Sequence, residues 1–200
     1  LLNKYMLEKF IYKKSKIEKN KKFYILRLPI TLGNEDKTER LNFYFARAKI
    51  FNDQIFIKNE KIYLNLLWVD DICLSIMKLI KKDLWPKNIF LEALNLNKIT
   101  YNDFVFTISN RLGLKKPNIF QFKKNFLKKN FKSIFSYDPF INEIDLKITN
   151  SNIFKIVKYT PKTFRQFIWK IKISKKINKS FIINKSKEYK FLKKYKKQSV

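Results

Sequence analysis

The sequence has no histidine, one cysteine (Cys73) and two glycines (Gly33 and Gly113). A single cysteine excludes a disulfide within the chain, and it excludes the zinc sites that are built from several cysteines or histidines. Carboxylates alone would have to hold a metal ion. We therefore expect no metal site in this protein.

Long apolar runs are also absent. No stretch approaches the roughly 18 consecutive apolar residues of a transmembrane helix. Near the N-terminus, Lys4, Glu8 and Lys9 interrupt the apolar positions where a signal peptide would be continuous. We therefore expect a cytoplasmic protein without a membrane partner.

Acidic residues are few beside basic ones: 16 Asp and Glu stand against 45 Lys and Arg, a formal net charge of +29. Lysine clusters neutralise phosphates, so the charge raises the alternative of a basic nucleic-acid-binding module. Arginine, the better ligand for bases and phosphates, occurs only five times. Abundant Lys, Asn, Ile and Phe with scarce Ala and Gly are typical of an A/T-rich genome. We therefore expect no specific nucleic-acid partner.

The residues that are present predict a packed protein. Apolar residues make up 46% of the chain and aromatic residues 16%, enough to offset the entropy cost of ordering. Periodicity and capping residues predict helices over about 1–15, 38–50, 70–82 and 100–113, and apolar runs predict strands over about 23–28, 55–58, 61–68 and 88–94. This alternation predicts an α/β architecture.

The helix predicted over 70–82 begins with two acidic residues. Negative charge is favourable at a helix N-terminus, and we expect Asp70 to cap the helix. Its buried face is predicted to contain Ile72, Cys73, Ile76, Leu79 and Ile80.

The remaining segments are less regular. Residues 115–140 give only a weak helical signal. Thr160 and Pro161 predict the start of a last helix that continues to Ile171. From residue 172 onward lysines alternate with Ile and Phe, which predicts an appended, frayed basic tail.

Six short motifs follow one another in an order that resembles a known family. They are Lys4-x-x-x-Glu8, LRLPITLG at 26–33, WVDDI at 68–72, the segment 88–95 followed by Thr100, Leu112-Gly113-x-Lys115, and Tyr159-Thr160-Pro161. Each motif alone is common. In this order and spacing, residues 1–171 resemble the NAD-dependent epimerase/dehydratase family, the extended short-chain dehydrogenases.

The resemblance implies an α/β fold. Residues 1–171 would be the C-terminal part of a Rossmann-like extended short-chain dehydrogenase, with its small substrate-binding subdomain and an incomplete parallel sheet, and residues 172–200 would be a basic, Lys-rich tail. The family's glycine-rich phosphate turn has no counterpart here, and its catalytic tyrosine would directly precede Leu1. We therefore expect an inactive fragment of a sugar (or related small-molecule) epimerase, dehydratase or reductase. A non-catalytic structural remnant is a further alternative.

The resemblance also implies roles for individual residues in hydride transfer of the Tyr-Lys type. Lys4 would be catalytic, because its charge lowers the pKa of the tyrosine base while it binds the nicotinamide ribose. Leu28 and Pro29 would border the nicotinamide of NAD or NADP, which the missing half would mainly hold. The substrate-binding candidates are Ile30, Gly33 and Arg40.

Two departures from the family pattern bear on the partners. Ile30 stands where nucleotide-sugar members carry Asn, and Leu64 where they carry Arg, which argues against a UDP- or dTDP-sugar. A sugar or a nucleotide sugar is still the expected class of small-molecule substrate. Family members also pair through the helix after the tyrosine, which implies a homodimer through Tyr5, Lys9 and Tyr12.

Overall fold

The computed structural model of the chain describes residues 2–34, 36–57, 63–86, 89–137, 152–173 and 179–199. The helices in these ranges are α1 (Leu2–Ile17), α2 (Arg40–Ile50), α3 (Val69–Lys82), α4 (Tyr101–Arg111), α5 (Lys124–Asn130), α6 (Ile134–Tyr137), α7 (Ile153–Ile156), α8 (Phe164–Phe167) and α9 (Lys179–Tyr195). The strands are β1 (Ile25–Arg27), β2 (Ile30–Leu32), β3 (Gln54–Ile57), β4 (Tyr63–Leu64), β5 (Leu66–Trp68), β6 (Phe90–Glu92), β7 (Ile99–Thr100) and β8 (Ile119–Phe122). Predictions made for Leu1, Lys58, Ile62 and Asn88 concern residues outside the described ranges.

Parallel pairing dominates among the described strands. β1 pairs with β6, β2 with β5 and β3 with β8 in parallel, and β4 pairs with β7 in antiparallel. Parallel neighbours need crossover connections, and the connection from β2 to β5 contains α2. The described strands thus form four two-stranded sheets, three of them parallel, and the chain has the predicted α/β fold.

The predicted helix over 70–82 is confirmed as α3, but its buried face is different. The buried residues are Asp71, Ile72, Ser75 and Leu79. Ser75 is satisfied there because its hydroxyl donates to the carbonyl oxygen of Asp71 at 2.8 Å. Cys73 and Ile80, which the sequence places on the buried face, are exposed. The buried face thus includes Asp71, which binds Tyr159 and Lys162 of a distant segment.

Local capping signals are confirmed at both ends of α4. The Oγ1 of Thr100 accepts a hydrogen bond from the backbone N–H of Asp103 at 3.1 Å and donates to its carboxylate at 2.8 Å. Gly113 follows the helix with a φ of 67°, in the left-handed region that favours glycine. Both signals act within one helical turn, so the sequence alone reveals them.

The last predicted helix begins three residues later than expected. Thr163, and not Thr160, caps α8: its Oγ1 accepts from the N–H of Gln166 at 3.4 Å, and its own N–H donates to Oε1 of Gln166 at 2.8 Å. This reciprocal capping box satisfies two backbone donors, so it outweighs the signal of Thr160 and Pro161.

The expectation of a frayed tail is wrong for residues 179–195, which form α9. The helix is held in an apolar cluster that contains Ile55, Phe122, Leu127, Phe131, Ile134, Phe191 and Leu192. The segment 119–137, which the sequence left unassigned, supplies most of the partners through β8, α5 and α6. The apolar pattern of α9 is weak because two of its buried residues, Lys185 and Glu188, are charged. The domain boundary after residue 171 stays a prediction.

Two further apolar clusters complete the core. The larger lies between α2, α4 and α8 and includes Phe45, Phe104 and Phe167. The other joins α3 to β6 and α7 through Leu79, Leu91 and Phe154. None of the helices in the described ranges is long and apolar enough to cross a membrane.

Candidate functional site

The parallel pair of β2 and β5 places two of the motifs beside each other. Leu32 lies opposite Trp68, so the loop after β2 and the first turn of α3 share one edge of the pair. Ligand sites in α/β folds lie at the carboxyl ends of parallel strands. A cleft of about 430 Å³ opens at this edge, and we call it the β2–β5 cleft. It is lined by Thr31, Leu32, Gly33, Asn34, Asp36, Trp68, Val69 and Asp70.

Gly33 is needed where the loop passes α3. A Cβ atom on Gly33 would lie 2.9 Å from Cγ1 of Val69, well inside the optimal separation of two carbon atoms. Val69 is β-branched and helical, so its side chain has little rotamer freedom to move away. This close approach explains why a glycine in the loop accompanies a valine at the helix start.

Two carboxylates line the cleft. The indole N–H of Trp68 donates to Oδ2 of Asp70 at 2.8 Å. Oδ1 of Asp36 accepts from the backbone N–H of Thr38 at 2.9 Å, whereas Oδ2 of Asp36 is buried without a hydrogen-bond partner in the described structure. Among the described residues that line the cleft, none is lysine or arginine. The cleft is therefore locally acidic in a chain whose formal net charge is +29.

Asp70 does not cap α3, contrary to expectation. The N-cap position is occupied by Trp68, and its side chain makes no capping hydrogen bond. The carboxylate of Asp70 instead binds the Trp68 indole and lines the cleft. Trp68 was not predicted from the sequence, although an indole donor two residues before an acidic pair is a signal that could have found it.

Lys4 lies on α1 with its side chain exposed. Glu8, one turn further along the helix, binds Arg27 of β1: Nη2 donates to Oε2 at 2.7 Å and Nε to Oε1 at 3.2 Å. The hydrogen bonds from Arg27 lower the pKa of Glu8, and the same bonds raise the pKa of Arg27. One ion pair thus joins the Lys4-x-x-x-Glu8 helix to the Leu-Arg-Leu-Pro strand.

Only one of the six predicted site residues, Gly33, lines the β2–β5 cleft. Leu28 is exposed and Pro29 partly buried in the turn between β1 and β2. Ile30 is buried in the largest apolar cluster, and Arg40 begins α2 outside the set of cleft residues. The catalytic, cofactor and substrate roles assigned to these residues stay predictions.

The residues implied in a homodimer are exposed on the surface of α1. Tyr5, Lys9 and Tyr12 line a groove of about 230 Å³ together with Arg27 and Phe90. The rings of Tyr12 and Phe90 are stacked with centroids 6.0 Å apart. Pairing of two copies through this face stays a prediction.

The second aspartate of the Val-Asp-Asp motif, Asp71, joins α3 to the segment that begins at Tyr159. Asp71 is fully buried and accepts hydrogen bonds from the Tyr159 hydroxyl at 2.7 Å and from N and Nζ of Lys162 at 2.7 and 2.8 Å. Burial, and then the bond to Asp71, raises the pKa of Tyr159, and the bond to Asp71 raises the pKa of Lys162. Local sequence could not show this role, because the partners are 88 and 91 residues away.

Asn95, at the end of the motif segment 88–95, holds the same region together. The backbone N–H of Asn95 donates to Oδ1 of Asn65 at 2.8 Å, and Nδ2 of Asn95 donates to the carbonyl oxygens of Leu66 and Lys162 at 2.9 and 3.0 Å. These bonds tie the chain after β6 to β5 and to the segment that carries Lys162. The motif is therefore structural at this position.

The chain has the fold of the C-terminal part of the extended short-chain dehydrogenases. It matches UDP-glucose 4-epimerase from Thermotoga maritima, solved with UDP-glucose, with a TM-score of 0.56 and 14% identity over 84% of this chain and 50% of that chain. UDP-N-acetylglucosamine 4-epimerase from Bacillus cereus matches with a TM-score of 0.52 and 10% identity over 76% and 47% of the two chains. RMD from Pseudomonas aeruginosa, in complex with NADPH, matches with a TM-score of 0.51 and 8% identity over 88% and 51%.

The chain thus spans about half the length of these structures. No protein-family model and no curated protein matches it. At this level of identity the comparison shows the fold, and the activity is a matter for proposal.

Proposed function

We propose that the chain is the substrate-binding part of an NAD(P)-dependent epimerase, dehydratase or reductase that acts on a sugar or a related small molecule. The observation that carries the proposal is the β2–β5 cleft, where the Leu-Pro-Ile-Thr-Leu-Gly loop and the Val-Asp-Asp helix meet on this fold. The sugar epimerases that share the fold support the substrate class. The 200-residue chain alone would be inactive.

Exposed apolar side chains on α1 support the need for a second half. Tyr5, Met6, Leu7 and Phe10 are between 57% and 60% exposed, and Ile17 is 77% exposed. Clustered apolar side chains on a surface usually mark a contact with another unit. In a protein twice this length, a dinucleotide-binding half would cover this helix.

The residues of this chain do not complete a dinucleotide site. Of its two glycines, Gly33 is used for the approach to Val69 and Gly113 ends α4. Neither belongs to a glycine-rich phosphate turn. NAD or NADP would therefore be bound mainly by the other half, while Leu28 and Pro29 would border the nicotinamide.

Lys4 is the residue of this chain to which we assign a catalytic role. The position directly before Leu1 is four residues away, so a tyrosine there would share a face of the helix with Lys4. The nearby ammonium would lower the pKa of that tyrosine, which could then accept the proton of a substrate hydroxyl. The ion pair between Glu8 and Arg27 orients the helix that carries Lys4.

The coding sequence upstream of Leu1 tests the proposal. We expect a tyrosine codon immediately before Leu1 and, further upstream, a glycine-rich turn between a strand and a helix. The complete protein should then show nicotinamide-dependent turnover of a sugar, and the 200-residue chain is the matched control that should show none. Another residue in the tyrosine position would contradict the enzymatic proposal.

A further inference from the structure

We propose that the β2–β5 cleft binds a sugar that carries no phosphate, and that it binds an amino sugar more tightly than a neutral one. The inference rests on the proposed function, because it assigns a substrate class to the cleft of that enzyme. The cleft volume of about 430 Å³ lies within the usual range for small-molecule sites, about 300–1,000 Å³.

Charge distinguishes this cleft from the rest of the molecule. Among the described residues that line it, Asp36 and Asp70 are the charged ones and none is lysine or arginine, although the chain has 45 basic residues. A phosphate in the cleft would lie beside two carboxylates, and the described lining residues offer no guanidinium or ammonium group to neutralise it. Groups that donate hydrogen bonds or carry positive charge are favoured instead.

The carboxylate of Asp36 contributes negative charge to the cleft. Its Oδ2 is a buried acceptor for which the described residues provide no donor, and buried acceptors normally have one. Its Oδ1 is held by the backbone N–H of Thr38, so the carboxylate keeps its negative charge at a fixed position beside the cleft. This charge attracts the ammonium group of an amino sugar and repels an ionised phosphate.

The neighbouring surface adds to this preference. An adjoining cavity of about 20 Å³ is lined by Glu39 and Asn42, among other residues. Lys172 is the one basic residue among the described residues that line it. Its backbone N–H donates to Oδ1 of Asn34 at 2.8 Å, and its side chain is exposed. Among the described residues that line the cleft and this adjoining cavity, carboxylates therefore outnumber ammonium groups.

Glycine-selective ¹⁵N labelling of the chain tests the proposal, because the chain has two glycines. The amide signal of Gly33 reports on the cleft, and that of Gly113, beyond the end of α4, is an internal control. Three ligands share one ring and differ in charge: glucosamine, glucose and glucose 1-phosphate. We expect Gly33 to shift at the lowest concentration of glucosamine, and to need at least about tenfold more glucose 1-phosphate, while Gly113 stays unchanged.

Charge-removing variants link the preference to the cleft. Asp36→Asn and Asp70→Asn keep the side-chain shape, and each is expected to weaken glucosamine binding at Gly33 about fivefold to tenfold. Asp83→Asn is the matched control, because Asp83 is exposed beyond α3 and has a positive φ that asparagine tolerates. The Asp83→Asn variant should bind glucosamine with the same affinity as the unchanged chain.

Two outcomes would overturn the proposal. One is a Gly33 shift that appears with glucose 1-phosphate at or below the concentration needed for glucosamine. The other is an unchanged Gly33 signal with all three ligands. Neither outcome bears on the tyrosine codon upstream of Leu1, so failure of the substrate class is distinguishable from failure of the enzymatic proposal.

Discussion

Gly33 and Val69 approach each other so closely that the loop after β2 accepts no larger residue without a shift. Gly33→Ala is expected to lower the free energy of unfolding by about 1–3 kcal/mol, because the added Cβ would lie 2.9 Å from Cγ1 of Val69. Urea denaturation measures this change. In a Val69→Ala background the same substitution should cost less, and an equal cost in both backgrounds would refute the steric explanation.

Lys4 is exposed on α1. In our proposal its positive charge promotes catalysis. In the complete protein, Lys4→Ala is expected to lower turnover about a hundredfold or more, because the tyrosine base would lose the cation that lowers its pKa. Lys13→Ala, an exposed lysine on the same helix, is the control. Steady-state kinetics with the thermal unfolding of both variants checks the result, and unchanged turnover would remove Lys4 from the mechanism.

Among the elements, α9 departs most from the sequence-based expectation, and a buried charge cluster explains how it is held. Glu188 accepts from Nε of Arg47 at 2.9 Å, from the N–H of Ile55 at 2.8 Å and from Nζ of Lys185 at 3.1 Å. Nη1 of Arg47 also donates to the Tyr101 hydroxyl at 3.2 Å. The cluster connects α9 with α2, β3 and α4.

Removing the Glu188 carboxylate would take away the negative charge that the buried Arg47 and Lys185 share. Glu188→Ala is therefore expected to destabilise the chain by about 3–5 kcal/mol. Chemical denaturation followed by circular dichroism gives the magnitude. Lys187→Ala, on the exposed face of α9, is the matched control and should have little effect. A Glu188→Ala variant as stable as this control would contradict the anchoring role.

The same cluster predicts an alkaline pH dependence of stability. Burial lowers the pKa of Lys185 from 10.5 to about 8. Between these two values the unfolded chain binds a proton that the folded chain has released, so the contribution of Lys185 to stability rises with pH, by up to about 1 kcal/mol per unit.

The variant Lys185→Met isolates this contribution. As the pH rises from about 8 to 10.5, the unfolding free energy of the unchanged chain should increase relative to that of the variant. Tyr159 and Lys162, whose pKa values are raised, titrate in both proteins and cancel in the difference. Parallel stability curves over this range would show that Lys185 does not titrate there.

For the molecule as a whole, the net charge of +29 predicts binding to polyanions without sequence preference. Gel-shift titrations with unrelated DNA duplexes should give similar affinities, which fall steeply as salt is raised because the binding releases counterions. Nanomolar, sequence-selective binding at physiological salt would support the nucleic-acid-binding alternative instead.

The fold was predictable where its signals are local or follow a known order. The capping residues of α4, the acidic start of α3 and the alternation of strands and helices are visible in the sequence, and the order of the motifs indicates the extended short-chain dehydrogenase fold. The cleft was predictable only in part. Gly33 was identified, but Trp68 and Asp36 were not, since their importance depends on which strand lies beside β2.

The sequence by itself thus determined the main elements and the class of fold, because capping and periodicity act within about one helical turn. Only the tertiary structure decided how the buried charges pair. Asp71 meets Lys162 across 91 residues, and Arg47 meets Glu188 across 141. Such pairs form only when the packing of the whole chain removes both partners from water, so local sequence patterns do not predict them.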